Sequence, residues 1–205
     1  MPERPAIDKP PWLEYYKATS RGPPWDTLTK ALSLFETEPI RGRRRFAIDL
    51  GSGAGRDTLE LLRRGWKVLA VDNEPDAIKW VRKAVPSKYR ARFTARLDAF
   101  ETVKLPKCDL VNASYSLPFC RPASFNDFWA RIVASLRSGG RFAGHLFGVR
   151  DEWFGDPELT FHTADQVKAL LAGLTTELFN EKEWEGRAVS RRKHWHLFSV
   201  VAKKT

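Results

Sequence analysis

Phe46-Ala47-Ile48-Asp49-Leu50-Gly51-Ser52-Gly53-Ala54-Gly55-Arg56-Asp57 passes from a short apolar run through three alternating glycines into a helical pattern. Glycines at a strand-to-helix turn let backbone N–H groups approach a ligand closely, because no Cβ intervenes and positive φ costs little. The helix that follows adds unpaired N–H groups and the positive end of its dipole at the same spot. The stretch therefore reads as the floor of a nucleotide-type cofactor site. A dinucleotide fingerprint spaces its glycines G-x-G-x-x-G and packs the third against the helix. Here Arg56 stands at that third position and the glycine falls one residue early, at Gly55, which argues against a dinucleotide. Asp49 adds a carboxylate at the strand end, unhelpful to a pyrophosphate but suited to a ligand carrying an amino group. Asp72 closes the next apolar run, Val68-Leu69-Ala70-Val71, where it can accept both hydroxyls of a ribose.

Working outward, the pattern alternates strand and helix. Strands are expected near 46–50, 67–72, 92–97, 108–114 and 141–147, and helices near 56–64, 75–85 and 124–136. Such alternation implies a parallel sheet covered by helices on both faces. A helix near 163–172 is capped by Thr163, with Asp165 and Gln166 in its first turn. Two strand-like runs, 176–184 and 194–202, then follow without an intervening helix, which indicates an antiparallel hairpin. Residues 1–45 form a preface. Pro10 and Pro11 precede an amphipathic turn, Arg21-Gly22-Pro23-Pro24 breaks the chain, and a helix from about Asp26 to Thr37 spaces Leu28, Ala31, Leu32 and Phe35 for burial.

At this point the chain resembles the class I S-adenosylmethionine-dependent methyltransferases. The resemblance rests on Asp49-x-Gly51-x-Gly53-x-Gly55, Asp72, Leu97-Asp98-Ala99-Phe100, Cys108-Asp109-Leu110-Val111-Asn112-Ala113-Ser114 and Leu136-Arg137-Ser138-Gly139-Gly140-Arg141-Phe142, and runs from about Phe46 to the C-terminus. It implies an α/β, Rossmann-like, doubly wound sheet of seven mostly parallel strands with an antiparallel strand 7, preceded by an N-terminal helical lid (1–45) and carrying the cofactor in 46–205. It further implies that S-adenosylmethionine is held by Asp49, Gly51, Ser52, Gly53, Gly55, Arg56, Asp57, Asp72, Asn73, Asp98, Ala99, Phe100, Asn112, Ala113 and Ser114. The Leu136–Phe142 stretch is then the family's L-x-P-G-G turn into strand 5, with Ser138 where proline is usual. Asp57 reads equally as a plain helix-start carboxylate, and Asp72 also as a helix cap.

Methyl transfer is an in-line displacement in which alignment counts most, a positioning effect worth ~7–11 kcal/mol. Trp12, Tyr15, Tyr16 and Trp25 make an aromatic preface that covers the cofactor or plugs the core; adjacent Tyr15 and Tyr16 cannot both enter one core face. Tyr16 is assigned to the cofactor and Tyr15 to the acceptor. Tyr115 and His145 are the catalytic candidates, His145 as general base or as a packed strand histidine. Phe119, Arg150 and Trp153, with Asp151 beside them, are placed toward the acceptor. His194 and His196 lack a third metal ligand and read as structural, and no metal is expected. Within the family, the short chain, the helical preface and Lys193-His194-Trp195-His196 are similar to the tellurite-resistance and thiopurine-type enzymes, whose acceptors are small and soft.

The chain's 205 residues, 42% hydrophobic and 12% aromatic, suit one α/β domain. No apolar leader or bilayer-length run is present, and a cytoplasmic monomer or homodimer with reduced Cys108 and Cys120 is expected. The net charge of +10 raises a nucleic-acid acceptor as the alternative. Its clusters are Arg41-Arg43-Arg44-Arg45, Arg82-Lys83 with Lys88, Arg90 and Arg92, and Arg187 with Arg191-Arg192-Lys193, read here as solvated surface. Asn112-Ala113-Ser114-Tyr115 lacks the prolines of amino-methylating DNA enzymes, and Pro118-Phe119-Cys120 lacks the Pro-Cys of cytosine-C5 enzymes. A small-molecule methyl acceptor is the reading adopted.

Overall fold

The computed structural model describes residues 12–20, 22–39, 42, 44–189 and 191–205. Met1 to Pro5, Pro10, Pro11, Arg21, Arg41 and Arg43 lie outside the described residues. Two helices come first, α1 (Trp12–Thr19) and α2 (Asp26–Glu36). There follow β1 (Phe46–Leu50), α3 (Arg56–Arg63), β2 (Lys67–Asp72), α4 (Pro75–Ala84), β3 (Phe93–Leu97), β4 (Cys108–Ala113), α5 (Pro122–Ser135) and β5 (Leu136–Gly148). The chain closes with β6 (Phe161–His162), α6 (Ala164–Leu170), β7 (Leu174–Ala188) and β8 (Arg191–Lys204).

The strands form one sheet in the order β3-β2-β1-β4-β5-β8-β7, with two-residue β6 paired to the end of β5. β1 to β5 run parallel, and β8 inserts antiparallel between β5 and β7. This is the expected Rossmann-like arrangement. β1, β2 and β4 are buried on both faces, which is why they read as continuous apolar runs. α2 turns Leu28, Ala31, Leu32 and Phe35 into a core shared with Ala47, Leu61, Trp66 and Val68. On the opposite face, Phe125, Phe128, Trp129 and Ile132 of α5 pack with Ile48, Val111 and Phe142.

Three expectations need correction. Leu136–Gly140 is no turn: β5 begins at Leu136, pairs with Cys108, and absorbs Gly139 (φ 78°) beside a register shift between Cys108 and Leu110. The last two strands are longer than expected, because cross-strand pairing continues to Ala188 and Arg191 after the apolar alternation has faded. Lys193, assigned to a solvated basic cluster, is fully buried. Cys108 and Cys120 are buried free thiols. Among the described residues no helix is long and apolar enough to cross a membrane.

Candidate active site

The loop after β1 folds back on β2 through Gly51 and Ser52, whose N–H groups both donate to the Val71 carbonyl at 2.8 and 3.0 Å. Gly51, Gly53 and Gly55 all adopt positive φ (66°, 51° and 89°). A Cβ on Gly51 would lie 2.2 Å from that of Ser116, and one on Gly55 would lie 2.6 Å from Val81 of α4. Each glycine therefore lets the loop seat tightly. The loop faces a crevice at the carboxyl ends of β1 and β4, lined by Tyr15, Thr19, Trp25, Asp49, Ser52, Gly53, Arg56, Asp57 and Ser114. Ser52 Oγ is buried without a hydrogen-bond partner.

Three carboxylates converge on this loop. Asp49 accepts from Thr58 Oγ1 at 2.5 Å and from Asn112 Nδ2 at 2.9 Å. Asp57 accepts from Asn112 Nδ2 at 3.0 Å, Ser114 Oγ at 2.7 Å and the Trp25 N–H at 3.0 Å. One amide thus bridges two buried acids. Asp72 accepts from the Gly53 and Glu74 N–H groups at 2.8 and 3.0 Å. Among the described residues, none of these donors is a cation. Burial, and next the charge of Asp57, raise the Asp49 carboxyl to about 7. Burial also raises Asp72.

Arg56 does not reach toward a ligand. Its guanidinium lies 3.9 Å over the Trp25 ring and its Nε donates to the Pro23 carbonyl. With the Asp57–Trp25 bond it clamps the segment before α2 onto the crevice rim. α1 then crosses the loop. Tyr16 is buried against Ala54 and Ala77, its ring 3.4 Å from where a Gly53 Cβ would stand. Burial pushes the Tyr15 phenol up to about 12, and Trp12 stacks on Tyr16 and meets Phe119 edge-on at 5.1 Å. The space left beneath is about 40 Å³, close to the volume of one water molecule. At the β3 end, Asp98 accepts from Ala99 N and Thr102 Oγ1, shaping the turn that follows. Phe100 stacks on Phe128, and Asn73 is exposed beside Asp72.

Tyr115, past β4, holds an unusual positive φ of 55°. Its N–H donates to His145 Nδ1 at 3.3 Å, its ring stacks on the imidazole at 4.1 Å, and Trp25 covers it at 4.4 Å. With Nδ1 accepting, His145 carries its hydrogen on Nε2, directed at Asp26 Oδ1 3.0 Å away. That hydrogen bond holds the Asp26 carboxyl below its ordinary value. His145 is fully buried, both nitrogens engaged. Burial raises the Tyr115 phenol well above its ordinary value, so it stays neutral. Trp153 is buried with Phe147, Leu159 and Leu197, with Phe119 and Trp195 at the margin. Asp151 pairs with Lys193 inside that cluster. Arg150 is drawn away from the crevice to Glu181 and Glu183 of β7.

Residues 47–140 match the family model of a methyltransferase domain. An uncharacterized methyltransferase of Mycobacterium tuberculosis is 34% identical over 119 residues, 57% of this chain and 44% of that protein. An uncharacterized methyltransferase of Mycobacterium bovis matches equally. The chain thus covers less than half the length of these curated relatives. The crystal structure of TehB from Haemophilus influenzae superposes with a TM-score of 0.75 at 14% identity, over 93% of this chain and 66% of that one. The 1,6-didemethyltoxoflavin-N1-methyltransferase of Burkholderia thailandensis, solved with 1,6-didemethyltoxoflavin and S-adenosylhomocysteine, superposes at 0.62 and 24% identity, covering 88% and 79%. Residues 47–140 are thus similar to a methyltransferase domain, and the chain shares the fold of these solved enzymes.

The glycine loop, Asp49, Asp57 and Ser114 line one crevice, with Asn112 and Asp72 bonded to its lining residues, while Arg150 and Trp153 lie apart from it. Sequence reading missed Asp26 and Thr58, and missed Asn112 as the bridge between two acids. Asp26 looked like a helix cap, and it does accept from Thr27 N. Thr58 carried one available signal, a polar residue on the inward face of an amphipathic helix.

Proposed function

We propose that the chain catalyses methyl transfer from S-adenosylmethionine to a small-molecule acceptor. The observation that carries this reading is the charge of the crevice: buried acids gather around a Cβ-free loop and their donors are all neutral. Among the described residues no cation pairs with these acids, because Arg56 on the lining is engaged by the Trp25 ring and the Pro23 carbonyl, and such a site suits a ligand with an ammonium and a sulfonium centre. The unpartnered Ser52 Oγ fits a polar end group there. When bound, S-adenosylmethionine supplies a methyl group activated by its sulfonium.

The residues divide the work. Asp49, Ser52 and the Asn112–Ser114 turn hold the amino-acid end, Asp72 and Asn73 the ribose, and Asp98 to Phe100 border the base. Arg56 and Asp57 act by securing the N-terminal segment. The 40 Å³ crevice is far too small for a nucleoside, so residues 1–45 serve as a lid over the 46–205 domain, with Tyr15 and Tyr16 swinging out on α1 to admit the ligand. Tyr115, reached from the crevice through Trp25, would face the acceptor as a neutral hydroxyl. His145, buried and doubly bonded, acts by holding the Tyr115 backbone and not as a proton acceptor. An acceptor that reacts without a general base follows, in keeping with the soft acceptors of the tellurite-resistance and thiopurine-type enzymes.

A screen of thiols, phenols, amines and metalloid oxyanions, read by S-adenosylhomocysteine release, tests the reading. Turnover with at least one small acceptor, lost in Asp72→Ala, is expected. Turnover only with DNA or RNA, or binding of NAD in place of S-adenosylmethionine, overturns it.

A further inference from the structure

β8 pairs with β5 as far as Phe147↔Leu197, but it pairs with β7 beyond that, through Trp184↔Trp195 to Ala188↔Arg191. Trp195 therefore stands two residues, roughly 7 Å, past the last β5 pair, at the carboxyl end of the sheet where the crevice opens. Side chains alternate along a strand. Glu181, Glu183 and Glu185 share one face of the hairpin with His194 and His196, which they bind. Trp184 and Trp195 share the other.

The two indoles stack at 5.8 Å with their planes within 10°. A Cβ on Gly186 would meet Trp184 Nε1 at 2.6 Å and Trp195 Cδ1 at 3.1 Å, so the missing side chain is what lets Trp184 lie in this position. Trp195 continues to Tyr115 at 6.4 Å, and Tyr115 to Trp25 at 4.4 Å. Trp25 lines the crevice. A continuous aromatic wall thus runs from the crevice to the hairpin, ending in Trp184, which is 37% exposed. A cross-strand Trp pair also stabilises a hairpin, but that role does not require continuity with Tyr115.

We propose that Trp184 and Trp195 form an acceptor subsite that holds a planar, uncharged ring system by stacking, its reactive atom directed toward Tyr115. The proposal rests on the methyltransferase reading and adds the shape of the acceptor to it. The cation–π position on Trp195 is already taken, which disfavours a cationic ring. Lys193 lies 3.9 Å from the Trp195 centroid and 4.3 Å from that of Trp153, so the wall already carries one cation, compensated by Asp151.

Calorimetry on the intact chain tests this, first with S-adenosylhomocysteine alone and then, on the saturated protein, with 2-naphthol, saturated decahydro-2-naphthol and the cationic 2-naphthyltrimethylammonium. The planar neutral probe is expected to bind about tenfold more tightly than either of the others. Trp184→Ala is expected to lose about tenfold for 2-naphthol, with S-adenosylhomocysteine affinity unchanged. Trp184→Phe keeps most of it. In the wild-type protein, 2-naphthol shifts the indole N–H resonances of Trp184 and Trp195, a readout independent of whether any variant folds. Equal binding of the planar and saturated probes, or unmoved indole resonances, overturns the subsite. Failure of S-adenosylhomocysteine to bind overturns the methyltransferase reading instead, and the probes titrated against the unliganded protein still decide the subsite.

Discussion

Two regions of the molecule bury carboxylates, and they do so in opposite ways. Around the glycine loop, Asp49 and Asp57 share one amide between them, and their other donors are hydroxyls and a backbone N–H. Beneath the hairpin, Asp151 meets the Lys193 ammonium and also accepts from the Trp153 and His196 N–H groups, all within an aromatic cage. In the second cluster the carboxylate is closed off, its charge and its hydrogen bonds both satisfied. The first is left negative. Burial there raises Asp49 to about 7, a cost that a positively charged ligand would remove. An unbalanced buried charge marks the place where the protein is built for something it does not itself contain.

The contrast is tested most strongly by breaking the closed cluster. Lys193→Met leaves Asp151 buried without its cation, and loss of one partner of a buried pair costs about 3–5 kcal/mol; urea denaturation should show that drop. A change under about 1 kcal/mol would mean that the pair is not what holds the hairpin base. The open cluster should respond the other way. Asp49 is raised from the unfolded value near 4 to about 7. Wild-type stability due to this group is thus complete below pH 4 and is lost as pH rises through 7. Asp49→Asn removes that loss, so at pH 8 the variant should exceed the wild type by about 1 kcal/mol or more, the gap narrowing as pH falls and closing by about pH 4. Parallel stability profiles across that range would contradict the charge argument. The smallest effect is expected at Ser52→Ala. Its hydroxyl has no partner within the protein, so stability should change by less than about 0.5 kcal/mol while cofactor affinity falls roughly threefold to tenfold, one hydrogen bond's worth.

Much of the fold was legible because it depends on local chemistry. Glycines at positive φ, apolar runs buried on both sides and the Thr163–Gln166 capping box all declare themselves within a few residues. The start of β5 did not, because Gly139 and Gly140 signal a turn and only pairing with β4 shows that they lie within a strand. In the site, the glycine loop, Asp49 and Asp72 could be read from spacing alone. Lys193 could not, since a lysine beside two arginines looks solvated until Asp151, 42 residues away, is brought to it. Arg150 and Trp153 were placed at the acceptor because they follow β5, yet Glu181 and Glu183 pull one aside and the aromatic cluster absorbs the other. Long-range charge pairing is the information that a strand-by-strand reading lacks.

The central claim, that the negative crevice awaits a cationic methyl donor, is tested most directly by titrating S-adenosylmethionine into the wild type and Asp49→Asn between pH 6 and pH 8. Deprotonating Asp49 creates the partner for the ligand's ammonium, so wild-type affinity should rise up to about pH 7 and level off, while the variant binds more weakly with little pH dependence. The account is contradicted if S-adenosylmethionine does not bind, or if wild type and variant bind it with the same affinity and the same pH profile.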